Sequence, residues 1–233
     1  GGVGEGRGEA GEAVPVCAFD MTAYYNENDP FAAEWLRALI AEGHIARGYV
    51  DTRSILDVTA CPGTDTCKLG VSSSRGLAGE MRSRLYAKGA AIDPAIRDLR
   101  IKISGCFNSC SHHHIADIGF YGISRNVGGY VVPHFQMVLG GQFQNNGGAY
   151  GIGVGGIASK AVPAVVERLT GLYLESRNKD ENFRTWVERT GKATIMQSLQ
   201  DLLEVPAYEK DKSFYVELHL CANSGLFGEY RSQ

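Results

Sequence analysis

The chain has 233 residues, of which 44% are apolar and 21% charged, a composition that is ordinary for a globular protein with a substantial core. Its formal net charge of −3 provides no basic field, so we expect no nucleic-acid partner. No apolar run approaches the ~18 to 20 residues that span a bilayer, and no basic start followed by an apolar stretch indicates a secretory signal, so neither a membrane span nor secretion is predicted.

The first part of the chain predicts one helix after a polar lead. Residues 1–13 are rich in Gly and Glu and almost without apolar side chains, which predicts a disordered linker. Residues 14–25 are apolar enough for a strand or an ordered lead. Asp29 then fits an N-cap and Pro30 the first helical position, and apolar residues recur at helical spacing until Gly43 ends the helix.

The middle of the chain alternates between strand and helix patterns. Helices are predicted at 69–88 and 94–99. Strands are predicted at 53–59, 99–103, 117–123 and 131–139. The residues between the last two strands, 126–129, are typical of a hairpin turn.

The last part of the chain is mainly helical in pattern. Apolar stripes predict helices within 162–173, 183–187 and 195–203, with Gly191 between the last two. Residues 205–233 form a C-terminal extension. Because strands and helices interleave without a strict βαβ repeat, the predicted fold class is α+β, with a mixed β-sheet flanked by helices.

Four of the six cysteines fall in two pairs from separate parts of the chain. Cys61 and Cys67 have five residues between them, and Cys106 and Cys110 have three. Structural zinc sites usually use pairs with two to four intervening residues, and bacterial ferredoxins use CxxC spacing. The first pair fits neither habit, so spacing alone leaves zinc and an iron–sulfur cluster open and favours the cluster only mildly.

The residues around the cysteines favour an anionic metal cluster. Pro62 donates no backbone hydrogen bond, and Gly63 and Gly105 tolerate unusual backbone angles. Both loops can therefore turn tightly and direct peptide N–H groups at one centre. Thr and Ser side chains in the same loops add hydroxyl donors that stabilise thiolate sulfur.

The two cysteine segments resemble a known family. The segment Thr59-Ala-Cys-Pro-Gly-Thr-Asp-Thr-Cys67, followed by Gly105-Cys-Phe-Asn-Ser-Cys-Ser-His-His-His-Ile-Ala-Asp-Ile-Gly119, is similar to the sirohaem- and [4Fe-4S]-dependent nitrite and sulfite reductases. The resemblance runs from about Trp35 to Leu203 and concerns only the C-terminal half of the family. It implies one [4Fe-4S] cluster held by two loops, with Cys110 also bound to the sirohaem iron. The implied cluster ligands are Cys61, Cys67, Cys106 and Cys110.

The resemblance implies an oxidoreductase that reduces nitrite to ammonia or sulfite to sulfide by six electrons, without deciding between the two small anions. Ferredoxin or a similar protein is the expected electron donor, because the chain contains no flavin or nicotinamide motif. The alternative is a [4Fe-4S] electron-transfer module without sirohaem, and a third possibility is a zinc-stabilised interaction domain. An iron–sulfur cluster predicts a reducing, cytoplasmic location.

The resemblance also divides the chain. Residues 14–52 correspond to a partial ferredoxin-like half-domain, 53–204 to the sirohaem/[4Fe-4S]-binding domain and 205–233 to an extension like that of some bacterial members. Sirohaem carries many carboxylates and the substrate is an anion, so the assembly needs many Arg and Lys partners. In the family these come largely from the N-terminal half. We therefore expect that half as a separate or cleaved chain, and we assign no catalytic residue to this sequence.

Other residues near the cysteine loops are candidates for the sirohaem site, each with an ordinary alternative. Lys68, Arg75 and Lys102 either pair with its carboxylates or remain surface charges. Asn108 either stabilises its own turn, which we favour, or faces the macrocycle. Gly141, in a glycine-rich region, either allows close approach to the flat ring or belongs to a loose hairpin tip.

The remaining candidates are three histidines and two cysteines. His112, His113 and His114 cannot bind one ion together, because consecutive side chains on a helix or strand point in different directions. We expect one of them, His114, to donate a hydrogen bond to a cluster sulfur or a cofactor carboxylate, and the others to be ordinary histidines. Cys17 and Cys221 stand alone and are predicted to be free or buried thiols.

Overall fold

The computed structural model describes residues 23–26, 30–45, 48–51, 55–88, 92–143 and 148–218. The predicted lead at 1–13 lies outside these ranges, as do Asp29, Cys17 and Cys221. The predicted division into 14–52, 53–204 and 205–233 stays a prediction. No helix within the described ranges is long and apolar enough to cross a membrane.

A small two-stranded unit comes first. Parallel strands β1 (Ala23–Asn26) and β2 (Gly48–Asp51) are connected through helix α1 (Pro30–Ala41). Helix α1 begins at Pro30 as predicted, because the first helical N–H has no partner within a helix and proline lacks that group. The chain leaves the helix before Gly43, which has a φ of +75°.

The main sheet has five strands in the order β3-β4-β5-β6-β7. They are β3 (Thr59–Ala60), β4 (Ile101–Ser104), β5 (Ile118–Val127), β6 (Tyr130–Leu139) and β7 (Ile152–Ala158). Strands β3, β4 and β5 are parallel, whereas β6 runs antiparallel to both β5 and β7. This arrangement confirms the predicted α+β class with a mixed sheet flanked by helices.

The β5–β6 hairpin turns where the sequence predicts. Gly128 and Gly129 have φ values of +59° and +88°, a region that residues with a Cβ rarely adopt. The Asn126 side chain accepts a hydrogen bond from the Gly129 N–H at 3.0 Å. The glycines and the asparagine therefore fix both the position and the tightness of the turn.

The strand predicted at 53–59 is wrong in extent. Of residues 55–60, only Thr59 and Ala60 pair with a neighbouring strand, and the predicted positions 53 and 54 lie outside the described part of the chain. Ile55 and Leu56 are buried in the core, and the Ile55 N–H donates to the Arg97 carbonyl oxygen at 2.6 Å. The apolar residues that suggested a strand are thus used for packing rather than for a sheet ladder.

Five helices accompany this sheet: α2 (Ser74–Lys88), α3 (Pro94–Arg97), α4 (Val162–Ser176), α5 (Phe183–Thr190) and α6 (Lys192–Ser198). Helix α2 begins later than the predicted 69, because the N–H groups of Val71 and Ser72 donate to the Gly105 carbonyl oxygen. Gly191, with a φ of +77°, separates α5 from α6 as predicted.

The helices and the sheet bury a common apolar core. Phe120 and Phe135 from the hairpin share this core with Leu77 and Met81 of α2 and with Trp186 of α5. Burial of such side chains contributes about 25 cal/mol for each Å² of apolar surface removed from water. The core therefore holds α2 against β3 and β4, the two strands that lead into the cysteine segments.

Candidate metal centre

The parallel pairing of β3 and β4 brings the two cysteine segments side by side. Thr59 lies opposite Lys102 and Ala60 opposite Ile103, so both strands end at the same edge of the sheet. Cys61 directly follows β3, and its N–H donates to the Ile103 carbonyl oxygen at 3.1 Å. Cys106 follows β4 after one further residue, Gly105. Cysteines from distant parts of the sequence therefore share one region of the structure.

The backbones of the two segments are in direct contact. The Gly105 carbonyl oxygen accepts hydrogen bonds from the N–H groups of Val71 and Ser72, at 2.8 and 3.1 Å. A Cβ on Gly105 would lie 2.7 Å from the Gly63 Cα and 3.0 Å from the Ser72 carbonyl oxygen. Glycine at position 105 is thus required by the close approach of a neighbouring backbone.

One peptide donor and one hydroxyl lie beside the Cys61 sulfur. The Gly105 N–H donates to Cys61 Sγ at 3.1 Å. The Ser74 hydroxyl lies 3.4 Å from the same sulfur and donates to the Cys61 carbonyl oxygen at 2.8 Å. Peptide N–H groups and hydroxyls directed at thiolates are the groups that stabilise iron–sulfur clusters. This donor set fits a cluster ligand, and Ser74 was not singled out from the sequence.

The four cysteines differ in exposure. Cys106 is buried with 6% of its surface exposed, Cys61 is partly buried, and Cys67 and Cys110 are exposed. Within the described ranges, no three Cys, His, Asp or Glu side chains are close enough together to hold a single metal ion. In a [4Fe-4S] cube each iron takes a separate thiolate, so its cysteines are spread more widely than the ligands of one zinc ion.

Two unusual backbone conformations flank Cys110. Ser109 and His112 have φ values of +60° and +59°, although neither is glycine. The His112 N–H donates to the Ser109 carbonyl oxygen at 2.7 Å, which closes a tight turn around the cysteine. Such conformations cost of order 1 to 3 kcal/mol and persist only where the surroundings enforce them. Asn108, at the start of this turn, is exposed. Whether its side chain stabilises the turn or faces the macrocycle stays a prediction.

The three consecutive histidines occupy different environments, as the sequence argument requires. His112 is exposed. The Nδ1 atom of His113 lies 2.9 Å from Ser104 Oγ, and that oxygen lies 2.7 Å from Ser111 Oγ. The Nδ1 atom of His114 lies 2.5 Å from Ser109 Oγ. His113 and the two buried serines therefore tie the end of β4 to the turn that carries Cys110.

Burial, with a smaller contribution from the neighbouring His114, lowers the pKa of His113 from its ordinary 6.5 to about 4. Only 5% of the His113 surface is exposed, so protonation would place a charge in the interior. The unfolded chain takes up this proton below about pH 6.5, whereas the folded chain resists it until about pH 4. Stability is consequently lost as the pH falls through this window.

We expect His113→Gln to flatten this pH dependence in the metal-free chain. The wild type should lose roughly 2 to 3 kcal/mol of unfolding free energy between pH 6.5 and pH 4 through this residue, and the variant should lose correspondingly less. Urea unfolding at several pH values measures the difference. His44→Gln makes the same chemical change at an exposed histidine and controls for the substitution itself. Equal slopes in wild type and His113→Gln would contradict the assignment.

A partly buried ion pair joins the two strands that flank the second cysteine segment. Arg100 Nε donates to Asp117 Oδ2 at 2.7 Å, and the Arg100 backbone N–H donates to the same oxygen at 2.9 Å. Asp117 belongs to the Asp-Ile-Gly end of the motif, but the sequence did not identify Arg100 as its partner. The ion pair joins the start of β4 to the start of β5. The Cys106–Cys110 segment belongs to the connection between these two strands.

Gly141 also lies against this segment. Its N–H donates to the Ala116 carbonyl oxygen at 2.9 Å, and a Cβ on Gly141 would lie 2.7 Å from that oxygen. The Gly151 N–H donates to the His114 carbonyl oxygen at 2.8 Å. Gly141 thus packs closely against the protein's own backbone. Its predicted contact with a macrocycle stays a prediction.

The cationic residues that the sequence singled out differ in exposure and in ion pairing. Lys68 is exposed, and Arg75 forms an ion pair with Asp65 at 3.5 Å. Burial lowers the pKa of Lys102, which lies on β4. Arg82, which the sequence did not single out, donates to the Val58 carbonyl oxygen at 2.6 Å. Together with Pro62, the arginines Arg75 and Arg82 line a cavity of about 300 Å³ beside the first cysteine loop.

Comparison with known proteins identifies the region that carries the cysteines. The sequence profile of the family "Nitrite and sulphite reductase 4Fe-4S domain" matches residues 51–206. A sulfite reductase [ferredoxin] of Mycolicibacterium paratuberculosis is 34% identical over 136 residues, which are 56% of this chain and 24% of that protein. An assimilatory ferredoxin-dependent nitrite reductase of Haloferax mediterranei is 24% identical over 138 residues, 59% of this chain and 23% of that protein.

A solved structure agrees with the sequence comparison. The Mycobacterium tuberculosis NirA protein superposes with a TM-score of 0.55 and 27% identity, covering 70% of this chain and 30% of NirA. The chain spans about a quarter of the length of the curated relatives that it matches. A 4Fe-4S domain is present, and the chain belongs to the nitrite and sulphite reductase 4Fe-4S domain family.

Proposed function

We propose that this chain is the cluster-bearing part of a sirohaem-dependent reductase that reduces nitrite to ammonia or sulfite to sulfide. The observation that supports this most strongly is the joining of the two motif segments at one sheet edge, where the Gly105 N–H donates to Cys61 Sγ at 3.1 Å. The family match over 51–206 includes all four motif cysteines. The relatives named as sulfite and nitrite reductases make this reaction class the natural choice.

In this proposal the cluster ligands are Cys61, Cys67, Cys106 and Cys110, and Cys110 also binds the sirohaem iron. Cys110 is chosen as the shared ligand because of its place in the second motif, and its exposure leaves its sulfur open to a second group. When bound to these residues, the cluster and the sirohaem would supply the one-electron chemistry of the reduction. The chain's own residues hold the sulfurs in place: Gly105 and Ser74 act at Cys61, and the Ser104–His113 contact fixes the second loop.

Several residues are proposed to face the sirohaem. Asn108 precedes the turn around Cys110, His114 contacts Ser109 of that turn through Nδ1, and Gly141 packs against the segment that follows it. All three belong to the region that the shared ligand would bring near the macrocycle, with Asn108 favoured for stabilising the turn. Lys68 is exposed and available for a carboxylate. Arg75 is weaker in this role, because its guanidinium already pairs with Asp65.

The chain's charges favour a substrate site completed by other parts of the reductase. The few cations beside the cysteine loops are too few to balance both the sirohaem carboxylates and an anionic substrate. Phe107 and Leu69, on the two cysteine loops, are apolar but 75% and 66% exposed, which is typical of a surface that something else covers. We propose that the N-terminal half of the reductase, as a separate or cleaved chain, covers this face and supplies the substrate-binding cations.

Ferredoxin or a similar protein is the proposed electron donor, and a reducing, cytoplasmic location is proposed with it. The relatives named as ferredoxin-dependent enzymes support the donor. The Arg82 guanidinium lines the cavity beside Pro62 and offers positive charge near the first cysteine loop for an acidic donor, whereas Arg75 in the same cavity already pairs with Asp65.

Visible absorption of the protein purified without oxygen from cells that make sirohaem tests this proposal. We expect a Soret band and a long-wavelength band from sirohaem, together with activity on nitrite or sulfite from a reduced viologen once the rest of the reductase is present. A broad cluster shoulder without these bands would instead support a [4Fe-4S] electron-transfer module, and a colourless zinc protein would contradict both. Native mass measurement tests the partner: a monomer that carries sirohaem and reduces substrate unaided would refute it.

A further inference from the structure

Helix α2 begins with half of a capping box. Ser73 precedes the helix, and its hydroxyl accepts a hydrogen bond from the Gly76 N–H at 3.2 Å. In a complete capping box, the residue three positions after the cap returns a Glu or Gln side chain to the N–H of the cap. That position is Gly76 here, which has no side chain to return.

The missing carboxylate comes from the far end of the chain. The Ser73 N–H donates to Glu217 Oε2 at 3.0 Å, across 144 positions of sequence. The carbonyl group of Leu218, the next residue, occupies the space that a Cβ on Gly76 would need. Because Gly76 has no side chain, the segment with Glu217 and Leu218 can pack against the start of α2. The residue that cannot supply the carboxylate thus leaves room for the segment that does.

The segment that carries Glu217 is itself fixed to the sheet. The rings of Tyr208 and Tyr130 are stacked with centroids 4.4 Å apart, and Tyr130 begins strand β6. The Tyr215 hydroxyl donates to the Pro206 carbonyl oxygen at 2.8 Å, which closes this segment on itself. Glu217 is thus presented by an ordered structure two residues after Tyr215.

The cap is directly linked to a proposed cluster ligand. Ser74, the residue after the cap, places its hydroxyl 2.8 Å from the Cys61 carbonyl oxygen and 3.4 Å from Cys61 Sγ. We propose that Glu217 is a positioning residue, which completes the capping box of α2 and thereby holds the Ser74 hydroxyl at Cys61. The effect on the cluster rests on the proposed function, whereas the capping itself does not.

The charge of Glu217 has a consequence separate from its hydrogen bond. The amino end of a helix carries partial positive charge, and a carboxylate there offsets it. Glu217→Gln keeps an oxygen acceptor for the Ser73 N–H but removes the negative charge, so the more negative, reduced cluster becomes easier to form. Glu217→Ala removes both the acceptor and the charge, so Ser73 and Ser74 also lose their fixed position.

Amide hydrogen exchange in the metal-free chain tests the capping. We expect the Ser73 amide to exchange roughly three- to tenfold faster in Glu217→Ala than in wild type, and less so in Glu217→Gln. The control is Glu209→Gln, the same loss of charge at an exposed position of the same segment, which should leave this amide unchanged. Unchanged exchange in Glu217→Ala would overturn the proposal whether or not the chain binds a cluster.

The cluster-loaded protein tests the link to Cys61. We expect a higher cluster reduction potential in Glu217→Gln than in Glu209→Gln, and cluster loss to a chelator roughly three- to tenfold faster in Glu217→Ala. A merely structural residue would change the loss rate but not the potential of the Gln variant. A wild type without any cluster would defeat the proposed function and leave the exchange result to decide the capping. In a loaded protein, an unchanged potential in Glu217→Gln would defeat the effect of the Glu217 charge, and unchanged cluster loss in Glu217→Ala would defeat the positioning role.

Discussion

Replacing Cys106 with serine is expected to abolish cluster binding, with the iron content falling below about one tenth of the wild-type value. Cys106 is the buried member of the four and follows the end of β4 after one residue, so the strand fixes the position of its sulfur. A serine hydroxyl has nearly the same size, which lets the chain fold, but it is a poor ligand for iron compared with a thiolate. Iron analysis and visible absorption of anaerobically purified protein measure the loss.

The two cysteines outside the motifs provide matched controls for that experiment. Cys17→Ser and Cys221→Ser make the same chemical change at positions that stand alone in the sequence, and we expect wild-type iron in both. Urea unfolding of the metal-free variants separates a lost ligand from a lost fold. Full iron in Cys106→Ser would contradict the ligand assignment, as would an equal loss in the Cys221 variant.

Adding a methyl group at Gly105 is expected to produce the second largest effect. The new Cβ would lie 2.7 Å from the Gly63 Cα and 3.0 Å from the Ser72 carbonyl oxygen, and neither backbone atom can rotate away. Gly105→Ala must therefore push the two cysteine segments apart, at a cost of about 3 kcal/mol in unfolding free energy. Because the Gly105 N–H also donates to Cys61 Sγ, we expect cluster content to fall as well.

Gly171→Ala is the matched control for Gly105→Ala. Gly171 lies inside helix α4, and a Cβ there meets nothing within 4 Å. This variant should be more stable than wild type by roughly 0.5 to 1 kcal/mol, because alanine is the better helix former. Urea unfolding of the metal-free chains compares the two. A Gly105→Ala protein as stable as wild type, with a full cluster, would show that the loops do not depend on this close approach.

The sequence was sufficient where a local rule decides the structure. Proline's missing N–H predicted the start of α1 at Pro30, and the glycine pairs predicted the hairpin turn at Gly128 and Gly129. Gly191 likewise separates two helices as predicted. The flanking residues of the cysteines led to the family, which the match over 51–206 confirms. In each case the deciding groups lie within a few residues of one another.

The sequence was insufficient where distant residues meet. The apolar run at 53–59 has the composition of a strand, but Ile55 and Leu56 pack into the core. Ser74 reaches Cys61 from 13 positions away, and Ser104 reaches His113 from 9. No periodicity or spacing marks such a contact, because it depends on how the strands and helices are finally packed.

The assignment of individual ligands and of the sirohaem face remains a proposal that follows from the family and from this geometry. The iron anomalous density of crystals grown without oxygen tests it most directly. We expect one cube of iron bonded to the sulfurs of Cys61, Cys67, Cys106 and Cys110, with the Cys110 sulfur also facing a tetrapyrrole iron. A single metal ion, or a cube held by fewer than these four sulfurs, would contradict it.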